Sequence, residues 1–376
     1  MKIAYVYDAV YPFTIGGVEK RIAVLSERLA ARGHEVHVFG LKSWEGDPCF
    51  SRNGVQYHGV GHPKLLYKSG RRSIGEAIYF GLKVLIPLSR QRFDIIDCQN
   101  FPYFSCFSAF FVSRIRKTPL VITWHEVWDN YWDYYLGLFG IFGRAIERLT
   151  ARLSCNLVAV SDMTGNDLQP LTTCLPVTIL PNGIDIQHID SIQPSGSGSD
   201  ILFVGRLIRE KNPELLINAI SIIFREFPGI RCIIVGDGPE KERLTGLIEK
   251  HKLGNNVTTV GFMRNHDDVI ALMKASKVFA SPSFREGFGM AALEAMACGL
   301  PVVTINAPKN AVKELVTGKT GIICNPSPES FAEAVLLCME RKDSMGEECK
   351  TRSLLYNWEK IVAEVEGYYS GITGKT

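Results

Sequence analysis

Two basic residues in the second half of the sequence follow an apolar, strand-like run at a spacing that suits anion binding. The run ends in Phe203-Val204, Gly205 allows a turn, and Arg206 and Lys211 come next. Arginine binds two phosphate oxygens at once and lysine adds a compact positive charge, so the pair suits a diphosphate. Residue types alone also allow two solvated surface cations.

Two glutamates further along stand in a more specific pattern. Glu286 lies in a glycine-containing loop after a strand, and Glu294 lies in a predicted helix of alanine, leucine and methionine that Gly299 ends. A carboxylate among apolar side chains costs free energy unless it is hydrogen-bonded, and the hydroxyl groups of ribose or a hexose are suitable donors. The alternative is that Glu294 lies on the helix surface.

The first half contributes two weaker signals. Gly16 and Gly17 precede a helix predicted at Val18–Ala31, where backbone amides and the positive helix end can approach an anion. His125 follows the strand Leu120–Thr123. An ordinary glycine turn and a packed or solvated histidine are the competing interpretations.

These residues need a scaffold of strands that alternate with helices, which is typical of parallel α/β sheets. We predict two Rossmann-like domains at 1–192 and 200–355, with a last segment at 356–376 whose helix packs back on the first domain. The predicted linker is the Gly- and Ser-rich stretch 193–199. The predicted strands are Ile3–Tyr7, Glu35–Phe39, Ile95–Cys98, Leu120–Thr123, Asn156–Val160, Val177–Leu180, Asp200–Phe203, Arg231–Val235, Val257–Val260, Val278–Ala280, Val302–Thr304 and Gly321–Ile323.

The composition narrows the class of protein. The chain has 376 residues, 46% of them hydrophobic, and its net charge of +3 favours neither nucleic acid nor a membrane as a partner. Nucleic acid is not an expected partner. Its ten cysteines show no C-x-x-C pair, which favours reduced thiols over disulfides or a zinc site. Neither a signal peptide nor a membrane-spanning run is visible. We therefore expect a cytoplasmic protein, soluble or peripheral on the inner face of the cell membrane.

Taken together, the motifs resemble those of glycosyltransferase family 4 over nearly the whole chain. The matching segments are the E-x7-E pair Glu286 and Glu294, the G-R-L-x-x-x-K-N segment from Gly205 to Asn212, Pro181–Asp185 and Val235–Pro239. The resemblance implies the GT-B fold, in which two Rossmann-like domains with parallel sheets face each other across a cleft.

The resemblance also implies roles for individual residues. Arg206 and Lys211 would bind the donor diphosphate, Glu286 the donor sugar, and Glu294 the nucleotide ribose. His125 would lie near the donor sugar. Further donor-binding positions implied in this way are Gly16, Gly17, Gly205, Gly261, Phe262, Met263, Phe288, Gly289 and Met290. The residue after His125 is Glu126, where the family commonly has Asp or Gly, so Glu126 receives no role.

The expected reaction is transfer of a hexose-type sugar from a nucleotide-diphosphate sugar, with UDP favoured over GDP, and with retention of anomeric configuration. No cofactor is expected, and because the sequence has no D-x-D motif, no metal is implied. A glycan or lipid-linked acceptor is expected. Rival interpretations are a GT-B epimerase or phosphorylase, an NAD-dependent dehydrogenase and a non-catalytic sugar-nucleotide-binding protein.

Residues 61–92 suggest a membrane partner. Seven basic residues stand here against one acid, Glu76, and they surround apolar residues between Ile74 and Ile86. This pattern suits an interfacial helix on an anionic membrane surface. The alternative is a core helix with a solvated basic face. The basic residues are Lys64, Lys68, Arg71, Arg72, Lys83, Arg90 and Arg92.

Overall fold

The computed structural model of the protein describes residues 1–64, 67–68 and 71–375. The chain divides into two compact units. The first consists of Met1–Asn182 together with Glu359–Thr376, and the second of Gly183–Trp358. In the basic run, the side chains of Lys68, Arg71 and Arg72 lie outside the described part of the chain.

An eight-stranded sheet forms the centre of the first unit, with the strand order β10-β9-β8-β7-β1-β2-β4-β3. All neighbours in it are parallel except the antiparallel pair β3 and β4. The central strands are buried apolar runs, as expected for a parallel sheet covered on both faces. The strands are β1 (Lys2–Val6), β2 (Glu35–Gly40), β3 (Cys49–Arg52), β4 (Val55–Gly59), the separate antiparallel pair β5 (Tyr67–Lys68) and β6 (Arg71–Arg72), β7 (Ile95–Gln99), β8 (Leu120–Trp124), β9 (Asn156–Ala159) and β10 (Thr178–Ile179).

In the described part of the first unit, six helices lie between these strands. Ser73 caps the start of the second helix, Ile74–Ser89, by accepting a hydrogen bond from the Glu76 backbone N–H. Pro87 lies within the last turn of the same helix. The helices are α1 (Gly17–Ala31), α2 (Ile74–Ser89), α3 (Phe104–Arg116), α4 (Tyr131–Leu136), α5 (Gly140–Thr150) and α6 (Asp162–Leu168), with 3-10 turns at Gly137–Phe139 and Gln169–Leu171.

A six-stranded parallel sheet forms the second unit, in the order β13-β12-β11-β14-β16-β18. Relative to chain order this is the 3-2-1-4-5-6 arrangement of a Rossmann fold. A short parallel pair, β15 with β17, lies outside it. The strands are β11 (Ile201–Val204), β12 (Cys232–Val235), β13 (Val257–Gly261), β14 (Val278–Ser281), β15 (Arg285–Glu286), β16 (Val302–Ile305), β17 (Lys309–Asn310) and β18 (Gly321–Cys324).

Apolar faces of the helices cover this second sheet, with Leu216, Ile220 and Phe331 completely buried against it. The helices are α7 (Ile186–Ser191), α8 (Pro213–Glu226), α9 (Lys241–Lys250), α10 (His266–Ala275), α11 (Met290–Ala297), α12 (Val312–Leu315), α13 (Pro328–Glu340) and α14 (Lys342–Ser353), with 3-10 turns at Arg209–Lys211 and Leu354–Tyr356. The last helix, α15 (Trp358–Thr373), belongs to the first unit from Glu359 onward.

The Gly- and Ser-rich stretch predicted as a linker lies inside the second unit. The Ser195 backbone N–H donates to the Ala271 carbonyl at 2.9 Å, and a side chain on Gly198 would overlap the Ala275 carbonyl. The division between units falls at Asn182 and Gly183, before the predicted boundary at 192. The glycine and serine residues of this stretch allow it to pack closely against α10. Composition alone does not distinguish such a packed segment from a flexible linker.

The expectation that all cysteines are reduced needs a correction. Cys155 and Cys174 form a disulfide, with their Cα atoms 5.1 Å apart. They precede β9 and β10, which are parallel neighbours, so the sheet brings the two starting ends together. The remaining cysteines are free thiols. Among the described residues, no helix combines the length and apolar character that crossing a bilayer requires.

Candidate active site

Parallel α/β sheets bind ligands at the carboxyl ends of their strands, where the strand order reverses. In the second unit this reversal falls between β11 and β14, the two strands that precede the predicted cations and the predicted Glu286. The topology therefore brings the two most informative sequence motifs to one edge of one sheet.

The loop after β11 is held by the neighbouring loop after β12. The Gly205 N–H donates to Val235 O at 3.0 Å, and the Leu207 N–H donates to Asp237 O at 2.9 Å. This close approach requires glycine at 236, where φ is +141° and a Cβ would overlap the Gly205 carbonyl. Arg206, between these two hydrogen-bonded residues, is exposed at the strand end.

Lys211 and Glu286 meet at this edge. The Lys211 Nζ forms an ion pair with Glu286 Oε2, and about a fifth of each side chain is exposed. Glu286 lies in β15, where pairing with β17 and a 2.8 Å bond from the Ala311 N–H to the Glu286 carbonyl fix its backbone. Because both side chains are partly exposed, a ligand can replace this ion pair. The lysine would then bind a phosphate group of the ligand and the carboxylate would bind a hydroxyl group.

The loop from Glu286 leads directly into α11. Gly289 caps the helix with φ of +99°, and a Cβ there would collide with Val312. Phe288 is buried against Tyr356, which anchors the loop. Met290 is the first helical residue, so the backbone N–H groups of this first turn are directed outward from the helix start, as an anion site requires.

Glu294 is buried, which rules out the helix-surface interpretation for this carboxylate. Its Oε1 lies 2.9 Å from His266 Nε2, at the first position of α10. His266 is a residue that the sequence interpretation missed. The available signal was an Asn265 cap followed by a histidine, close to the predicted segment Gly261–Met263.

That predicted segment follows β13 in the same unit. The Gly236 N–H donates to the Gly261 carbonyl at 2.8 Å, which ties it to the loop after β12. Phe262 is 57% exposed, so it offers a flat apolar face, and Met263 is partly buried. An exposed aromatic residue beside polar loops is suited to stack on a nucleobase.

The predicted glycine pair belongs to the first unit. Gly16 caps α1, which begins at Gly17, and the carboxylate of Glu19 lies in the first helical turn. Gly17 is exposed and Gly16 is partly exposed, so the backbone at the helix start is accessible. The pair comes after β1, and β1 and β7 are the strands between which the order reverses in this sheet.

His125 follows β8, the next strand along. Its Nε2 lies 2.7 Å from Gln99 Oε1, and its backbone N–H donates to Asn100 Oδ1 at 3.2 Å. Burial, and to a lesser degree the charge of Arg21, lowers the pKa of His125 to about 3, so the imidazole is neutral at physiological pH. Gln99 and Asn100, which the sequence interpretation also missed, are ordinary polar residues without a recognisable motif.

Comparison with known proteins adds independent information. Residues 15–188 match the model of Glycosyltransferase Family 4, and residues 187–353 match the model of Glycosyl transferases group 1. The two matches meet near the division between the units and together span almost the entire chain.

The chain also matches most of the length of several curated relatives. The gpi3 component of the phosphatidylinositol N-acetylglucosaminyltransferase of Schizosaccharomyces pombe is 24% identical, over 95% of this chain and 78% of that protein. A GDP-mannose-dependent alpha-(1-6)-phosphatidylinositol dimannoside mannosyltransferase of Mycobacterium tuberculosis is 29% identical, over 93% and 91%.

Among solved structures, sucrose-phosphate synthase from Thermosynechococcus elongatus superimposes with a TM-score of 0.83 at 20% identity, covering 99% of each chain. At this level of identity the likeness shows the fold, which is the GT-B α/β fold.

Proposed function

The chain belongs to glycosyltransferase family 4 and is a glycosyltransferase, and on this premise we propose that it transfers a hexose-type sugar from a nucleotide-diphosphate sugar to an acceptor hydroxyl. The observation that supports the donor class most directly is the contact between Lys211 and Glu286 at the strand-order reversal. One group suits a phosphate and the other a sugar hydroxyl, and they lie side by side, as phosphate and sugar do in such a donor.

In the proposed reaction the bond between the sugar C1 and the diphosphate oxygen breaks, and a bond from C1 to the acceptor oxygen forms. The acceptor hydroxyl gives its proton to the departing diphosphate oxygen, which also keeps the electron pair of the broken bond. Arg206, Lys211 and the first-turn amides of α11 stabilise that growing negative charge, since donors fixed in place need no reorganisation during the reaction.

We propose that transfer retains the anomeric configuration and proceeds without a metal ion. Both features follow from the family resemblance, and the absence of a D-x-D motif supports the second. Exhaustive EDTA treatment tests metal independence. Activity should persist, whereas a loss that magnesium or manganese restores would contradict it.

For the nucleotide, we propose that Glu294 accepts hydrogen bonds from the ribose hydroxyls and that Phe262 stacks on the base. Glu294 is buried, but its carboxylate contacts His266, which is partly exposed in the same unit. A ribose hydroxyl can therefore bind the Glu294 carboxylate beside His266 or in its place. UDP is our first choice of nucleotide and GDP the second. The GDP-mannose-dependent relative is the reason to test both.

For the acceptor, we propose a lipid-linked or cell-surface glycan precursor, reached by docking of the first unit on an anionic membrane. The exposed face of α2 contributes an apolar stripe at four-residue spacing, namely Ile74, Ile78, Leu82 and Ile86. Other apolar residues of this helix, such as Phe80 and Val84, are buried in the core. The helix therefore has a core-packed face as well as an exposed apolar face.

Helix α3 packs against α2 and has exposed apolar residues of its own, Phe111 and Ile115. The only acid in either helix is Glu76, which is buried and accepts a hydrogen bond from the Lys64 N–H at 2.6 Å. Each basic residue near an anionic leaflet adds about 1 kcal/mol of attraction, so the face suits such a surface. Among the described residues, the exposed basic ones on and beside the two helices are Lys64, Lys83, Arg90, Arg92, Arg114, Arg116 and Lys117.

Flotation with liposomes tests the docking. The protein should float with anionic vesicles at low salt and be released at high salt, because salt screens surface charge. Leu82→Ser combined with Ile86→Ser should weaken binding, whereas Leu354→Ser on an exposed site of the second unit should not. Protein that stays in the soluble fraction with anionic vesicles at low salt would contradict docking but not the transferase reaction.

Assay of nucleotide release with a panel of UDP- and GDP-sugars, with and without candidate acceptors, tests the reaction itself. Transfer should depend on both substrates. An epimerase would interconvert the nucleotide sugars without an acceptor, and a non-catalytic binder would leave them unchanged.

A further inference from the structure

A chain of buried hydrogen bonds in the first unit begins at Asp97. This carboxylate accepts from Thr123 Oγ1 at 2.8 Å, from Gln99 Nε2 at 2.9 Å and from the Tyr369 hydroxyl at 2.6 Å. Burial raises the pKa of the Asp97 carboxyl above its usual value, and these donors together with the charge of Arg21 offset only part of that rise. All three side chains donate to the Asp97 oxygens, so the carboxyl is the acceptor in each of these bonds.

The position of Asp97 decides how the Gln99 amide is oriented. Asp97 and Gln99 are two residues apart on β7, so their side chains lie on the same face of the strand. Asp97 Oδ1 accepts from the Gln99 amide NH₂, so the NH₂ faces Asp97 and the amide oxygen faces His125.

The Gln99 amide in turn decides where His125 carries its proton. An amide oxygen only accepts, so the 2.7 Å contact requires a proton on His125 Nε2. The neutral imidazole has one N–H, so Nδ1 keeps a lone pair and acts as an acceptor. The opposite tautomer would place two acceptors, Nε2 and Oε1, against each other.

The last link comes from the end of the chain. Tyr369 lies in α15 and is almost completely buried, and its hydroxyl contacts both Asp97 and the Tyr5 hydroxyl, the latter at 3.1 Å. Tyr369 and Asp97 are 272 residues apart in sequence, so the C-terminal helix contributes to a network that begins in the sheet of the first unit.

We propose that Gln99, Asp97 and Tyr369 are positioning residues that hold the proton of His125 on Nε2, so that Nδ1 accepts a hydrogen bond from a hydroxyl of the donor sugar. The proposal rests on the proposed function for its ligand, and on the hydrogen bonds above for the tautomer. In this arrangement His125 accepts a hydrogen bond from the sugar hydroxyl and does not donate a proton to it.

The tautomer is tested by ¹⁵N–¹H NMR of protein labelled at histidine, without substrate, with His125→Gln to assign the signal. Wild-type His125 should show the Nε2–H form from pH 5 to 8. Gln99→Leu, which removes the amide, should give a mixture of both tautomers. An Nδ1–H form in the wild type, or an unchanged tautomer in Gln99→Leu, would overturn the proposal.

Kinetics test the consequence for the sugar. Gln99→Leu should lower kcat/KM for the donor about tenfold, the value of roughly one oriented hydrogen bond, and leave the affinity for the free nucleoside diphosphate unchanged. Tyr369→Phe should act in the same direction with a smaller effect, and Tyr368→Phe, next to it on α15, should have none. An unchanged kcat/KM, or an equal loss of affinity for the diphosphate, would overturn the role. A protein without any transferase activity would instead count against the proposed function, because the tautomer is measured without substrate.

Discussion

The two units have related sheets, yet the polar groups at their strand ends differ in kind. In the second unit Lys211 and Glu286 are charged, partly exposed and paired with each other. In the first unit Asp97 is buried, and it acts through Gln99 on a histidine whose pKa is lowered to about 3. The charged pair suits a ligand that brings its own charges, whereas the buried network suits the orientation of a neutral hydrogen-bonding group. We therefore assign the nucleotide diphosphate to the second unit and fine positioning to the first.

The largest effect should come from removing the cations of the second unit. Arg206→Ala and Lys211→Ala should each lower kcat by about a hundredfold or more at saturating donor, since loss of one preorganised charge-stabilising group typically has that effect. Steady-state kinetics measure it, with Lys319→Ala, an exposed lysine paired with Glu348, as the control. Near-normal turnover in both variants would contradict the proposal that Arg206 and Lys211 stabilise the charge of the departing diphosphate.

A substitution in the supporting loop should destabilise the second unit. Gly236→Ala places a Cβ against the Gly205 carbonyl at a φ of +141°, so we expect a loss of about 1–3 kcal/mol in the free energy of unfolding. Gly254→Ala, where a Cβ would meet no atom within 4 Å, is the control. Thermal unfolding measures both. Equal melting temperatures would mean that the two loops can separate without cost.

The sequence indicates more of the candidate site residues in the second unit than in the first. The cations and glutamates follow recognisable strands and glycines, and the predicted strands all overlap observed ones, with ends that differ by about one residue. Strands β3, β4, β15 and β17 were not predicted. Strands β3, β15 and β17 have only two to four residues, too few to show a period, and the polar residues of β4 hide it among loop residues. Neither Gln99 nor Tyr369 was predicted, since their contacts depend on tertiary packing between residues far apart in sequence.

The two glutamates of the second unit should separate binding from chemistry. Glu294→Gln should weaken nucleotide binding about tenfold, as loss of a charged hydrogen bond to ribose would, while Glu286→Gln should mainly lower kcat. Calorimetric titration with the nucleoside diphosphate and steady-state kinetics measure the two effects. Unchanged nucleotide affinity in Glu294→Gln would contradict the ribose role.

The first unit should show the smaller, pH-dependent effect. Burial, with the charges of His37 and Lys2, lowers the pKa of His58 to about 4, so the unfolded chain binds a proton that the folded unit does not. Stability should therefore fall as the pH drops from about 6.5 towards 4. Linkage gives His58 a contribution of about 2 kcal/mol at pH 5, and solvent screening of this half-buried group reduces it to about 1 kcal/mol.

Thermal unfolding at pH 7.5 and pH 5 measures this contribution as the difference between wild type and His58→Gln. The wild type should lose more stability on acidification than the variant, and His251→Gln in the second unit should behave like the wild type. An identical loss in wild type and His58→Gln would show that His58 is not the group that titrates.

The assignment of the diphosphate to the second unit is tested most directly by thermal shift with free UDP and GDP. A ligand that binds only the folded state raises the melting temperature, by an amount that depends on its affinity. At least one of the two should raise the melting temperature of the wild type and of Gln99→Leu, and the rise should be lost when Arg206→Ala and Lys211→Ala are combined. A rise that survives in this double variant, or that is lost in Gln99→Leu, would contradict the assignment.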